Sequence, residues 1–421
     1  MTWTSPADRP ISPQTLPDGR PRHPEQGAFS MLIIAILLFA CVVTLVAWFG
    51  AVLVSPARDG ITTTVPIHAG EIVGRLPAQV AQIKQDLRTR RTIQAAGRED
   101  VATLTALAQR HVERARQSGD PREIGLAVSA LAPWWEEARP PVPVLLIRAS
   151  IRQYLHDFDG ALADLALVIQ ADPNNVQAWM SQAAIQQTTG ALGEAATSCR
   201  RLMSLSRSIT GMICLADLAS LGGEHAALDR ASVIVRSGNT STAEQAWVLT
   251  VLAEMAERFG RDELAEAWFT QAALAESGSY ARVAFADWLL RRDRAHDAVS
   301  TLASAPATDA VLLRRALAWR KLGDPQAGAA IAELRERFES SKARGDSLHL
   351  REMARFALDI DQTPTVALDY ASRNWAHQKE PADALLLAAA AHAAGSPDKA
   401  DPVRRFVREP GLYDVRLHEL L

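Results

Sequence analysis

Residues Leu252–Ala273 read LAEMAERFGRDELAEAWFTQAA. The positions that give this run its pattern are Leu252, Ala253, Gly260, Ala265, Phe269 and Ala272, and none of them carries a titratable group or a nucleophile. Leu252 and Ala253 belong to a first helical segment, and Gly260 interrupts it. Ala265, Phe269 and Ala272 then recur at the three- and four-residue steps of a second helix. The spacing is that of packing: two helices, a short turn, and small side chains where the helices cross.

The same arrangement recurs along the chain. A small residue sits in the middle of each first helix at Ala149, Ala183, Ala216, Ala253, Ala286, Ala316, Ala354 and Ala388, with gaps of 30 to 38 residues centred on 34. A second small residue follows about twelve positions later at Ala161, Ala195, Ala265, Ala298 and Ala400. Gly190, Gly260, Gly323 and Gly395 fall between the two. A fixed period of this length marks stacked helical units. Alanine at the crossing lets two antiparallel helices approach closely, where a larger side chain would push the axes apart. Each hairpin alone leaves an apolar face uncovered, so the units must stack. Period-2 alternation is almost absent and no Asn-Gly hairpin signal occurs, so the expected fold class is all-α.

These residues resemble the tetratricopeptide-repeat motif. Unit 142–175 supplies Ala149, Phe158, Ala161, Leu165 and Pro173, and unit 176–208 supplies Trp179, Ala183, Gly190 and Ala195. The opening unit supplies Leu252, Ala253, Ala265, Phe269 and Ala272, and the last contributes Ala388 and Ala400. Arg148 stands where the motif has leucine. The resemblance covers about 142–408, within a repeat domain expected over 97–421 that includes a degenerate unit at 101–135. It implies a right-handed solenoid of helix-turn-helix repeats and a role in protein–protein interaction. In such arrays the first helices line a concave wall. The wall positions here are Asp217, Glu254, Glu257 and Asp287, then Arg320, Lys321, Arg351 and Arg355. The resemblance therefore predicts a groove running from acidic to basic that receives a protein or peptide. The Lys/Asn carboxylate clamp of some family members is absent, since the equivalent positions are Ser150, Ala184 and Asp217.

One segment departs from the repeat pattern. Ala28 to Val54, AFSMLIIAILLFACVVTLVAWFGAVLV, carries no charge. At 1.5 Å per helical residue it crosses a hydrocarbon core of about 30 Å with some tilt, and a transmembrane helix is expected over 28–54. A cleaved signal has a shorter apolar core. Leu38-Phe39-Ala40-Cys41 resembles a lipoprotein cleavage box, but Phe39 is bulky for it and the chain stays apolar beyond Cys41. Residues 1–27, with six prolines, form a disordered tail, and 55–96 form a linker and a juxtamembrane helix. Arg20 and Arg22 precede the span and Arg58 alone follows closely. The positive-inside bias puts the N-terminus in the cytoplasm and the repeats on the far side of the inner membrane, in a periplasmic location, as in bacterial single-pass proteins of this type. The alternative reading is a regulator or non-catalytic subunit of an enzyme complex with its repeats on the cytoplasmic side.

Little in the chain points to catalysis. Net charge is −3, so no electrostatic footprint for nucleic acid exists. The ten histidines are scattered without metal-ligand spacing, and no phosphate-cradling loop of the GxxxxGK[ST] or GxGxxG type occurs. No cofactor, no metal site and no enzymatic activity is expected. Cys199 and Cys214 fall on neighbouring helices of successive units, where an exported domain allows a disulfide. Two buried thiols are the commoner outcome for cysteines on apolar helix faces.

Overall fold

A computed structural model of the chain describes residues 88–89, 91–93, 95, 100–206, 209–237, 242–275, 279–345 and 348–421. The expected tail 1–27 and span 28–54 lie outside the described residues, as does most of the connector 55–96. Among the described residues no helix is long and apolar enough to cross a membrane, and no strand occurs.

The helices follow one another in pairs. The first half comprises α1 (Val101–Ser118), α2 (Pro121–Ala130), α3 (Val142–Tyr154), α4 (Phe158–Ala171), α5 (Val176–Thr189), α6 (Leu192–Ser206), α7 (Ile209–Leu221), α8 (His225–Ser237) and α9 (Thr242–Arg258). The second comprises α10 (Asp262–Ala275), α11 (Tyr280–Arg291), α12 (Ala295–Leu302), α13 (Asp309–Leu322), α14 (Gln326–Arg344), α15 (Leu350–Asp359), α16 (Pro364–Trp375), α17 (Pro381–Ala393) and the short α18 (Asp401–Phe406). Each odd-numbered helix from α1 to α15 packs against the even-numbered helix that follows it. Most even-numbered helices also meet the first helix of the next hairpin, and first helices touch along an inner wall, as α7 with α9, α9 with α11 and α11 with α13. The residues from Val101 on form an array of stacked helical hairpins.

All but one of the small residues lie buried where the period places them; Ala216 is half-buried. Ala149, Ala161, Ala183, Ala195, Ala253, Ala265, Ala272, Ala286, Ala298, Ala316, Ala354, Ala388 and Ala400 are all buried. Phe269 fills the space between hairpins, its ring 5.7 Å from that of Phe285 on the next first helix. Several helices begin on a side-chain cap, with Asp100, Asp157, Asn175 and Thr308 each accepting from a backbone N–H of the first turn. Every hairpin turn passes through one left-handed residue: Gly119, His156, Gly190, Gly223, Gly260, Asp293, Gly323, Gln362 and Gly395, with φ between 52 and 84°. At three of the nine the residue is not glycine, so the glycine signal in the sequence marks only part of the series.

The array coils until its late hairpins rest on its early ones. Gly119, at the turn of the first hairpin, backs onto Thr308 at the start of α13. The Lys379 N–H, just before α17, donates to the Thr188 carbonyl at the end of α5 at 2.8 Å, and Gly190 abuts Phe406 and Lys379. The segment after α18 continues the seam. The Tyr413 N–H donates to the Leu221 carbonyl at 2.6 Å, and the Val415 N–H donates to that of Arg258 at 3.0 Å. Carbonyls at the ends of α5, α7 and α9, which lack partners inside their own helices, are thereby satisfied.

Candidate functional site

The wall residues expected to form a charge gradient form instead a ladder of ion pairs between successive first helices. Arg258 on α9 donates to Asp217 on α7 at 3.1 Å. Arg291 on α11 reaches back to Glu257 on α9 at 2.5 Å. Arg314 on α13 reaches Asp287 on α11 at 2.8 Å, and Arg355 on α15 engages the same carboxylate. Arg351 on α15 pairs with Asp383 at 2.6 Å and Glu380 at 2.5 Å at the start of α17. Lys321 holds Asp293 at the preceding turn, and Arg320 donates to the carbonyls of Asp359 and Ile360 at the end of α15. Within the predicted set only Asp287 and Arg355 pair with each other; the other members, Glu254 apart, are held by partners outside it.

The ladder also sets the ionisation of its members. Burial opposes the charge on Asp287, but Arg314 and Arg355 outweigh it and hold the carboxyl well below the usual carboxylate range. Glu257 is buried among Arg291, Arg292 and, from the tail, Arg416 at 2.7 Å. Burial works against the Arg416 charge, yet Asp414 and Glu257 raise its pKa further.

Glu254 is the exception in the acidic row. It accepts a hydrogen bond from the Tyr280 hydroxyl at 3.1 Å. Burial first, and the neighbouring Asp217 carboxylate second, push its pKa up to about 8. It is half-buried. Tyr280, 59% exposed, opens α11, and Trp247, 37% exposed, lies two turns before Glu254 on α9. Trp247 precedes Ala253 by six residues and Tyr280 precedes Ala286 by six, so both occupy the same repeat position on consecutive first helices. The periodicity of the core residues alone misses this pair. The signal that finds it is an aromatic six residues before the buried alanine, where hairpin packing leaves the side chain on the wall.

Cys199 on α6 and Cys214 on α7 are joined in a disulfide with Cα atoms 5.8 Å apart. This departs from the expectation of two buried thiols. The second helix of one hairpin and the first of the next meet closely enough to bridge. Trp134 is buried, while Trp135 lies under the Arg152 guanidinium, 5.8 Å from the ring centroid. Between the second and eighth hairpins a cavity of about 30 Å³ is lined by His156, Leu350, Asn374 and His377, room for a water molecule. Burial lowers the His156 pKa. Among the described residues no group of three His, Cys, Asp or Glu side chains is placed to hold a metal ion.

No family model and no curated relative matches the chain. Among solved structures, human IFIT1, determined as a dimer with m7Gppp-AAAA, is similar over 78% of this chain and 86% of its own, at 12% identity and a TM-score of 0.40. The TPR domain of P58(IPK) is similar over 74% of this chain and 95% of its own, at 14% identity and a TM-score of 0.22. Neither likeness extends to a ligand or a site.

Proposed function

We propose that the chain is a non-catalytic protein-interaction scaffold, anchored in the membrane through residues 28–54, whose concave wall receives a protein or peptide partner in assembly of an envelope complex. The observation that carries this reading is the pair Trp247 and Tyr280, exposed at one repeat position on adjacent first helices. Aromatic residues are enriched at protein interfaces because they bury much area at low conformational cost. Along the wall Arg258, Arg291, Arg314, Arg351 and Arg355 are each held by carboxylates, which leaves them little free charge for a phosphate backbone. The apolar run and its flanking arginines support placing the repeats outside the cytoplasm. The Cys199–Cys214 disulfide fits that oxidising compartment.

Two measurements test the proposal. A photo-crosslinking residue at position 247 or 280 should capture a protein that the same residue at Leu264, exposed on a second helix, does not. Equal capture at all three positions, or none, rejects the groove. A C-terminal reporter active only after export should be active, and a silent reporter moves the array to the cytoplasmic side.

A further inference from the structure

One arrangement recurs where aromatic rings meet charged side chains in this array. Arg152 lies over Trp135 and holds Asp164 at 2.9 Å. Arg292 lies 3.9 Å from the Trp288 ring centroid and pairs with Asp262 and Glu257. Arg335 lies over Phe356 and pairs with Asp361 at 2.6 Å. Lys342 and Arg373 flank Tyr370 and hold Glu339 at 2.7 Å and Asp369 at 3.5 Å. In each case three members stand together: a ring face, a cation drawn to its quadrupole, and a carboxylate that fixes the cation in place.

On the open wall, Tyr280 and Glu254 present two of those members. The ring is exposed and its hydroxyl is bonded to the carboxyl at 3.1 Å, while among the described residues no basic side chain lies over Tyr280 or Trp247. The charges facing Glu254 come from several elements: Asp217 on α7, Arg258 on its own helix, and Glu380 at the start of α17. Arg351 on α15 faces Tyr280. Both arginines are already engaged, Arg258 by Asp217 and Arg351 by Glu380 and Asp383. The local balance is negative, beside an aromatic face open to solvent.

We propose that the wall between α9 and α11 docks a basic side chain of the partner, arginine or lysine, with its charge on Glu254 and its body on Tyr280, and with Trp247 flanking it. This rests on the scaffold reading above and names the chemistry of its partner. Glu254 has its pKa raised to about 8 by burial and Asp217. An incoming cation therefore displaces a proton, and binding strengthens as pH rises from 6 towards 8, by up to about tenfold per unit.

The test is selection of random hexapeptides, displayed on phage, by the immobilised full chain. Retained peptides should be enriched in arginine or lysine. Glu254→Gln, which keeps an oxygen for the Tyr280 hydroxyl, should cut their retention at least tenfold, as should Tyr280→Ala at an exposed position, with helicity unchanged by circular dichroism. Enrichment that survives Glu254→Gln overturns the inference. Retention that depends on Trp247 and Tyr280 without basic enrichment also overturns it, and leaves the scaffold reading standing. Retention indifferent to Trp247→Ala and Tyr280→Ala, or absent altogether, overturns both.

Discussion

Arg148 is buried, and each nitrogen of its guanidinium is engaged. Its Nε and Nη2 grip the Asp164 carboxylate at 2.9 and 2.6 Å, while Nη1 donates to the carbonyls of Trp134, Trp135 and Glu137, each at 2.8 Å. One side chain thereby ties α3 to α4 and satisfies the end of the irregular turn before them. Arg148→Ala should cost about 3 kcal/mol in urea unfolding, because it strands three carbonyls and leaves the buried Asp164 with Arg152 alone. A loss under about 1 kcal/mol would mean that solvent enters and replaces the contacts. Arg148 occupies the leucine position of the repeat motif, and the sequence shows only the departure. Its reason depends on Asp164, sixteen residues on, and on a turn outside any repeat. The alanines are more legible, since their burial follows from periodicity alone. Trp247 and Glu254 lie between these cases. Their place on the wall can be read from the repeat register, but the shortage of cations near Glu254 emerges only when neighbouring arginines are seen to be engaged elsewhere.

At the scale of the element, the hairpin turn is the most uniform feature of the chain. An α-helix that must reverse within a few residues ends most readily on a left-handed residue, whose N–H closes onto the last carbonyls. Six turns use glycine there, and His156, Asp293 and Gln362 take the same conformation with φ of 60, 57 and 52°. Lys321 supports Asp293, and the His156 ring stacks on Phe158 at 5.4 Å. Gln362 is exposed, and among the described residues its side chain makes no hydrogen bond that offsets the strain. Gln362→Gly should therefore raise stability by about 0.5–1 kcal/mol, the left-handed strain relieved less the extra backbone entropy of glycine. A thermal midpoint that falls instead would show that the glutamine side chain stabilises the turn. Sequence periodicity locates these three hairpins only through their alanines, because geometry imposed by two packed helices leaves no trace in the identity of an exposed glutamine.

At the scale of the molecule, repetition alone would give an open spiral whose length grows with each unit. Closure requires donors aimed at the exposed ends of earlier helices, and the late hairpins and tail supply them. Helix C-termini carry partial negative charge and helix N-termini partial positive charge, so the start of α17 against the end of α5 is also favourable between dipoles. None of this is visible along the sequence, since the partners Thr188 and Lys379 lie 191 residues apart and follow no repeat rule. The tail is the decisive part of the seam. Leu412, Asp414 and Leu417 are buried, and Arg416 bridges Asp414 at 2.5 Å and Glu257 at 2.7 Å. Arg416→Ala leaves the buried Asp414 without its cation and removes the link to α9, and should cost about 3 kcal/mol. Glu257 keeps Arg291, so the hairpins themselves should persist. The effect should be local: amide exchange at Tyr413 and Val415 should accelerate, while the buried centre of α9 around Leu252 and Ala253 stays protected. Uniform acceleration along the array would instead mean that the seam and the stack unfold together, and that closure holds the hairpins in place rather than merely finishing them.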